Sequence, residues 1–130
     1  MAGHQRDARR SGITTKSVRA PVSPDDGARI LVDRLWPRGV SKERAAVTEW
    51  RRDLSPSTEL RRWFGHDPSR WDDFRLRYRR ELAASGAAAA LDELRRRSRR
   101  ERITLLFGAG DVERNNAVAL QEFVRAKGIV

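Results

Sequence analysis

Residues Asp26 to Val40 read DGARILVDRLWPRGV. The apolar run Ile30-Leu31-Val32, continued by Leu35 and Trp36, is broken by Asp33 and Arg34 and stopped by Pro37-Arg38-Gly39. That pattern predicts a buried central strand over Arg29 to Trp36 that ends in a charged turn. An acid and a base at the end of a buried strand cost on the order of several kcal/mol unless they are paired or solvated. A strand that only filled a core would gain nothing from them, so the charges mark a candidate site.

Further along the chain, Ile103-Thr104-Leu105-Leu106-Phe107 is almost wholly apolar, as expected of an interior strand covered on both faces. It turns through Gly108-Ala109-Gly110 into a predicted helix capped by Asp111, with Ala117, Leu120 and Val124 as its inner stripe and Gly128 as its stop. In an open α/β sheet, ligands occupy the crevice beyond the carboxyl ends of the strands. A strand, a glycine turn and a helix N-terminus also present free backbone N–H groups to anions.

Together the two strand ends predict a polar pocket. Arg38 and Arg34 are its bidentate anion ligands, and Asp33 is its catalytic candidate, as an acid, base or orienting group. Gly108, Gly110, Asp111, Arg114, Asn115 and Asn116 complete the ligand-binding set. The plainer alternatives are an Asp33–Arg34 ion pair that locks the turn, and an asparagine pair that caps the preceding loop. Gly-Ala-Gly is only part of a dinucleotide fingerprint, because Glu113 stands where the third glycine would be.

The rest of the chain supplies the frame. Met1 to Gly12 has no apolar anchor and is expected to be a disordered basic tail, with one α/β domain over 13–130. Ile13 to Arg19 alternates as a first strand, and Pro21 to Gly27 is a loop. Ser41 caps a short helix, and Thr48 to Leu54 fits either a short strand or an extended arm. Ser55-Pro56 and Asp67-Pro68 each open a helix. Trp71, Phe74, Tyr78 and Leu82 then recur along one helical face as core. Ala87 to Arg100 is a further helix, with Ala88, Leu91 and Leu94 as its stripe. The expected fold is a small, mostly parallel sheet of three to four strands flanked by helices.

Composition narrows the function. The 130 residues carry no cysteine, two scattered histidines and a net charge of +10, with arginine supplying 25 of 28 basic residues. Thiolate chemistry, disulfides and a histidine metal site are excluded, and no cofactor is implied. No membrane span or signal peptide is legible, so a cytoplasmic location is expected. The charge suits an anionic, phosphate-bearing small molecule, a nucleotide among the candidates. The alternative partner is nucleic acid, bound by the tail and the arginines between Arg95 and Arg102. A coding bias toward arginine explains the surplus equally well.

Three stretches, DGARILVDRLWPRGVSK (26–42), SPSTELRRWF (55–64) and TLLFGAGDVERNNAVAL (104–120), with FRLRYRREL (74–82) between them, resemble the YeaO-like branch of the domain-of-unknown-function family 488. The resemblance runs from about Ile13 to Val124, and DRLWPRG is its most specific motif. It implies a small cytoplasmic bacterial α/β protein without an established activity. The family pattern usually carries a tyrosine and a basic residue at the last strand turn, where this chain has Phe107 and Gly110. A hydroxyl and a charge are thus missing from the expected pocket. No helix-turn-helix followed by a β-wing is legible.

Overall fold

The computed structural model describes residues 11–126. Four parallel strands form one sheet: β1 (Gly12–Ser17), β2 (Ala28–Leu31), β3 (Glu49–Trp50) and β4 (Arg102–Phe107), in the spatial order β1-β4-β2-β3. Five helices accompany them: α1 (Lys42–Ala45), α2 (Thr58–Phe64), α3 (Trp71–Ala84), α4 (Ala88–Arg97) and α5 (Asn116–Arg125). The last strand therefore sits inside the sheet. It pairs with β1 from Gly12↔Arg102 to Ser17↔Phe107 and with β2 from Ala28↔Ile103 to Leu31↔Leu106.

Side chains alternate across the sheet and separate two cores. Ile13, Ile30, Val32, Ile103, Leu105 and Phe107 join the apolar stripes of α2 to α5 in the main core. There Phe64, Phe74 and Tyr78 stack in series, with ring centroids 4.4 and 5.6 Å apart. The Tyr78 hydroxyl donates to the Leu54 carbonyl, which satisfies the one polar atom of that buried ring. The opposite face is thinner. Val18, Leu31, Ala45 and Leu106 are covered there by Trp36, Val40, Val47 and Trp50.

The same face holds a charged cluster. Arg29 is 3% exposed, and its guanidinium donates to Asp26 Oδ2 at 2.6 Å and to the Ala45 carbonyl at 3.1 and 2.8 Å. Lys16 donates to both Asp26 oxygens at 3.0 and 3.1 Å, and the Ser23 N–H caps the same carboxylate. Gly27 lets this cluster press onto the sheet: with φ at +63°, a Cβ there would meet the Arg102 carbonyl oxygen at 2.1 Å.

Several boundaries differ from the sequence reading. The strand expected over Arg29 to Trp36 ends at Leu31, because Asp33 turns away to bond a neighbouring strand end. Ser57, not Ser55, caps α2; the Ser55 hydroxyl bonds back to the Arg52 carbonyl. At the start of α4 the buried alanine is its N-cap, Ala87, while Ala88 is exposed. Thr48 to Leu54 resolves into the two-residue β3 and a 3-10 turn, Arg52–Leu54. Most of the expected tail, and Gly128, lie outside the described residues.

Candidate functional site

The carboxyl ends of β2 and β4 are neighbours because their ladder continues one step past β2, with Val32 N–H donating to the Leu106 carbonyl at 3.2 Å. Asp33 then closes the gap. Its Oδ2 accepts the Gly108 N–H at 2.9 Å, and its Oδ1 accepts Asn116 Nδ2 at 3.1 Å. The same Asn116 nitrogen donates to the Val32 carbonyl at 2.8 Å, so three elements meet on one carboxylate. A Cβ on Gly108 would lie 2.9 Å from Asp33 Oδ2 and 3.1 Å from Pro37 Cβ, which explains the glycine without any special φ. Gly110 has open space around it and meets no such demand.

Beyond this junction lies a cleft of about 470 Å³ between the 33–38 loop, the end of α2 and the start of α5. Of the residues singled out in the sequence, Asp33, Arg34, Arg38, Gly108, Arg114, Asn115 and Asn116 line it. Gly110 and Asp111 are not among its lining residues. Asp111 does not cap the helix as expected. Its Oδ1 accepts the Glu113 and Arg114 N–H groups at 2.9 and 3.1 Å in a turn, and α5 begins at Asn116 under the cap of Asn115. The physical reason is that the aspartate satisfies its own local turn five residues before the helix starts. Asn115 is thereby a cap, its Oδ1 accepting the Val118 N–H at 2.9 Å, and Asn116 ties the helix to β2.

Asp33 and Arg34 do not form the ion pair of the plainer alternative. Arg34 Nε instead donates to the Pro56 carbonyl at 3.2 Å. Sequence reasoning missed four groups. Arg61, Arg62 and His66 reach the cleft from α2 and the turn after it, and Arg19 braces the rim. Arg19 Nη1 donates to the Gly108 carbonyl at 2.6 Å and Nη2 to the Arg38 carbonyl at 2.9 Å, so one guanidinium holds both strand-end loops. For Arg61 and Arg62 the available signal was their position, facing away from the Leu60 and Phe64 stripe.

The electrostatics are one-sided. Among the described residues, no carboxylate lies within ion-pair distance of Arg34, Arg38, Arg61 or Arg62, whereas Arg114 approaches Asp111 at 3.9 Å. Burial pushes the Asp33 carboxyl above the usual carboxylate value, against the hydrogen bonds from Asn116 and Gly108 and the fields of Arg19 and Arg61. Among the described residues there is no group of three or more metal-binding side chains. Ser57 is engaged as a cap and bonded to Glu81.

Some arginines outside the cleft are held in ion pairs. Arg97 meets Glu49, Glu93 and Glu101, and Arg95 meets Asp92, so part of the Arg95 to Arg102 cluster is a salt-bridge network. No helix among the described residues is long and apolar enough to cross a membrane.

Fold and cleft together define a small all-parallel α/β protein with an arginine-lined crevice at the carboxyl edge of its sheet. The chain belongs to the family described as the inactive DUF488-N3 subclade, which it matches over residues 12–128. It is 39% identical over 119 residues to the uncharacterised protein Rv3073c of Mycobacterium tuberculosis, covering 92% of this chain and 98% of that one. To the uncharacterised protein YeaO of Escherichia coli it is 38% identical over 114 residues, covering 88% and 97%. No solved structure matches it.

Proposed function

We propose that this protein binds an anionic, phosphate-bearing small molecule in the cleft, and that it acts by binding rather than by turning the ligand over. The observation that carries this reading is the set of four cleft arginines without a carboxylate partner among the described residues. Guanidinium groups left open in a walled crevice match phosphate oxygens bidentately, and the low local dielectric strengthens the contact. Asp33 supports the non-catalytic part. Both its oxygens accept structural hydrogen bonds, so it organises the junction, and the family's own description as inactive agrees.

The test is calorimetric titration with inorganic phosphate, pyrophosphate and a panel of phosphorylated metabolites. Arg38→Ala should leave the thermal midpoint unchanged, since its side chain is exposed, yet lose most of the affinity. Binding that survived in Arg38→Ala, Arg61→Gln and Arg62→Gln alike would sink the reading. Affinity that fell steeply with salt and extended to any DNA would favour the nucleic-acid alternative instead.

A further inference from the structure

Charge alone does not describe this cleft. Besides its arginines the lining has an apolar part, formed by Leu35, Trp36 and Pro37 from the loop after β2 and by Phe64 at the end of α2. Leu35, in this apolar part, is 62% exposed. A bare phosphate or a sugar phosphate would leave this part wet. A volume of about 470 Å³ is also far more than one phosphate group fills, and lies within the usual range for organic ligands.

Asp33 lines the same cleft. An ionised carboxylate offers about four lone-pair positions, and its hydrogen bonds from Gly108 and Asn116 account for two. A carboxylate facing an anion site repels a ligand that brings only negative charge. It is favourable only to one that also brings a hydrogen-bond donor, such as a ribose hydroxyl or a base N–H.

Resting on the anion-binding reading above, we propose that the ligand is a nucleotide: its phosphates lie on Arg38, Arg61 and Arg62, its flat base lies along the Leu35–Pro37 wall, and Asp33 accepts a hydrogen bond from its sugar or base. Asp33 is then a specificity-determining residue. Setting aside Arg114, which approaches Asp111 at 3.9 Å, the four other lining arginines exceed the one lining carboxylate by three charges, more than the roughly −2 of a single phosphate, so a nucleoside diphosphate is favoured over a monophosphate.

The experiment is a calorimetric series on the full chain with inorganic phosphate, ribose 5-phosphate, an unphosphorylated nucleoside, and nucleoside mono- and diphosphates. The diphosphate should bind best, with inorganic phosphate and ribose 5-phosphate each weaker by roughly tenfold or more. Leu35→Ala, at an exposed position, should weaken the nucleotides roughly threefold and leave inorganic phosphate unchanged. Asp33→Asn should weaken the nucleotides while strengthening inorganic phosphate; a merely structural aspartate would weaken both.

If ribose 5-phosphate binds as tightly as the nucleotides, the nucleotide proposal is overturned and the anion-binding reading stands. An unphosphorylated nucleoside that bound as tightly as its diphosphate would overturn the anion-binding reading, and the present proposal with it. If no member of the series binds, both fail.

Discussion

Arginine is used in opposite ways in two regions of this molecule. On the thin face of the sheet, Arg29 is withdrawn from water and its guanidinium meets Asp26 and the Ala45 carbonyl. At the carboxyl edge, Arg38, Arg61 and Arg62 are exposed and meet no carboxylate among the described residues. The two aspartates diverge in the same way. At Asp26, burial alone would raise the carboxyl, but hydrogen bonds from Ser23, Lys16 and Arg29 outweigh it and hold the group below its usual value. At Asp33, burial wins. A charge that its own fold neutralises belongs to stability, and a charge left open belongs to whatever arrives from solution.

The comparison can be broken most forcefully at Arg29. Arg29→Ala leaves Asp26 with only Lys16 and the Ser23 N–H and takes the donors from the Ala45 carbonyl, so urea unfolding should show a loss of about 3–5 kcal/mol. Survival at full stability would mean that the thin face does not depend on its ion pair. Next in size is Gly108→Ala, which forces a methyl against Asp33 and Pro37 and should cost about 1–3 kcal/mol, together with any ligand binding. If stability held, the close approach at the β2–β4 junction would be unimportant.

The aspartates sharpen the contrast through pH. Asp26 contributes stability that is present above the ordinary carboxylate value of 3.8 and is lost as pH falls through its lowered folded value. Asp33, with its value raised, contributes stability below 3.8 that is lost as pH rises through its folded value. In midpoint measurements between pH 3 and 7, Asp26→Asn should therefore fall behind the parent protein as pH rises, and Asp33→Asn should gain on it. Parallel curves would erase the distinction. The smallest stability effect is expected in the cleft. The double change Arg61→Gln with Arg62→Gln should move the unfolding free energy by less than about 0.5 kcal/mol, and a larger loss would make those arginines structural after all.

The sheet was legible where its physics is local. Ile30-Leu31-Val32 and Ile103 to Phe107 announced themselves as strands by apolar continuity, and Phe74, Tyr78 and Leu82 as core by helical spacing. Boundaries set by tertiary bonds were not. Nothing in Asp33 itself says that it leaves the strand to cap Gly108 across the sheet, and Asp111 looks like a helix cap until its turn is seen. The cleft was half visible. Its strand-end residues stand beside prolines and glycines that mark a turn. Arg61, Arg62 and Arg19 are three among 25 arginines, and only the packing of α2 and the bridging of two loops separate them from the rest.

The interior place of β4 has a consequence for how the protein is made. Among the described residues β1 pairs with no strand but β4, which lies far from it in the sequence. During synthesis the β1–β4 ladder cannot form until Arg102 to Phe107 have been made. Pairing over such a separation is slow, and the apolar β2 and the aromatic face of α3 remain open to other chains throughout that wait. The cleft, built on the β2–β4 junction, is complete only once β4 has joined the sheet.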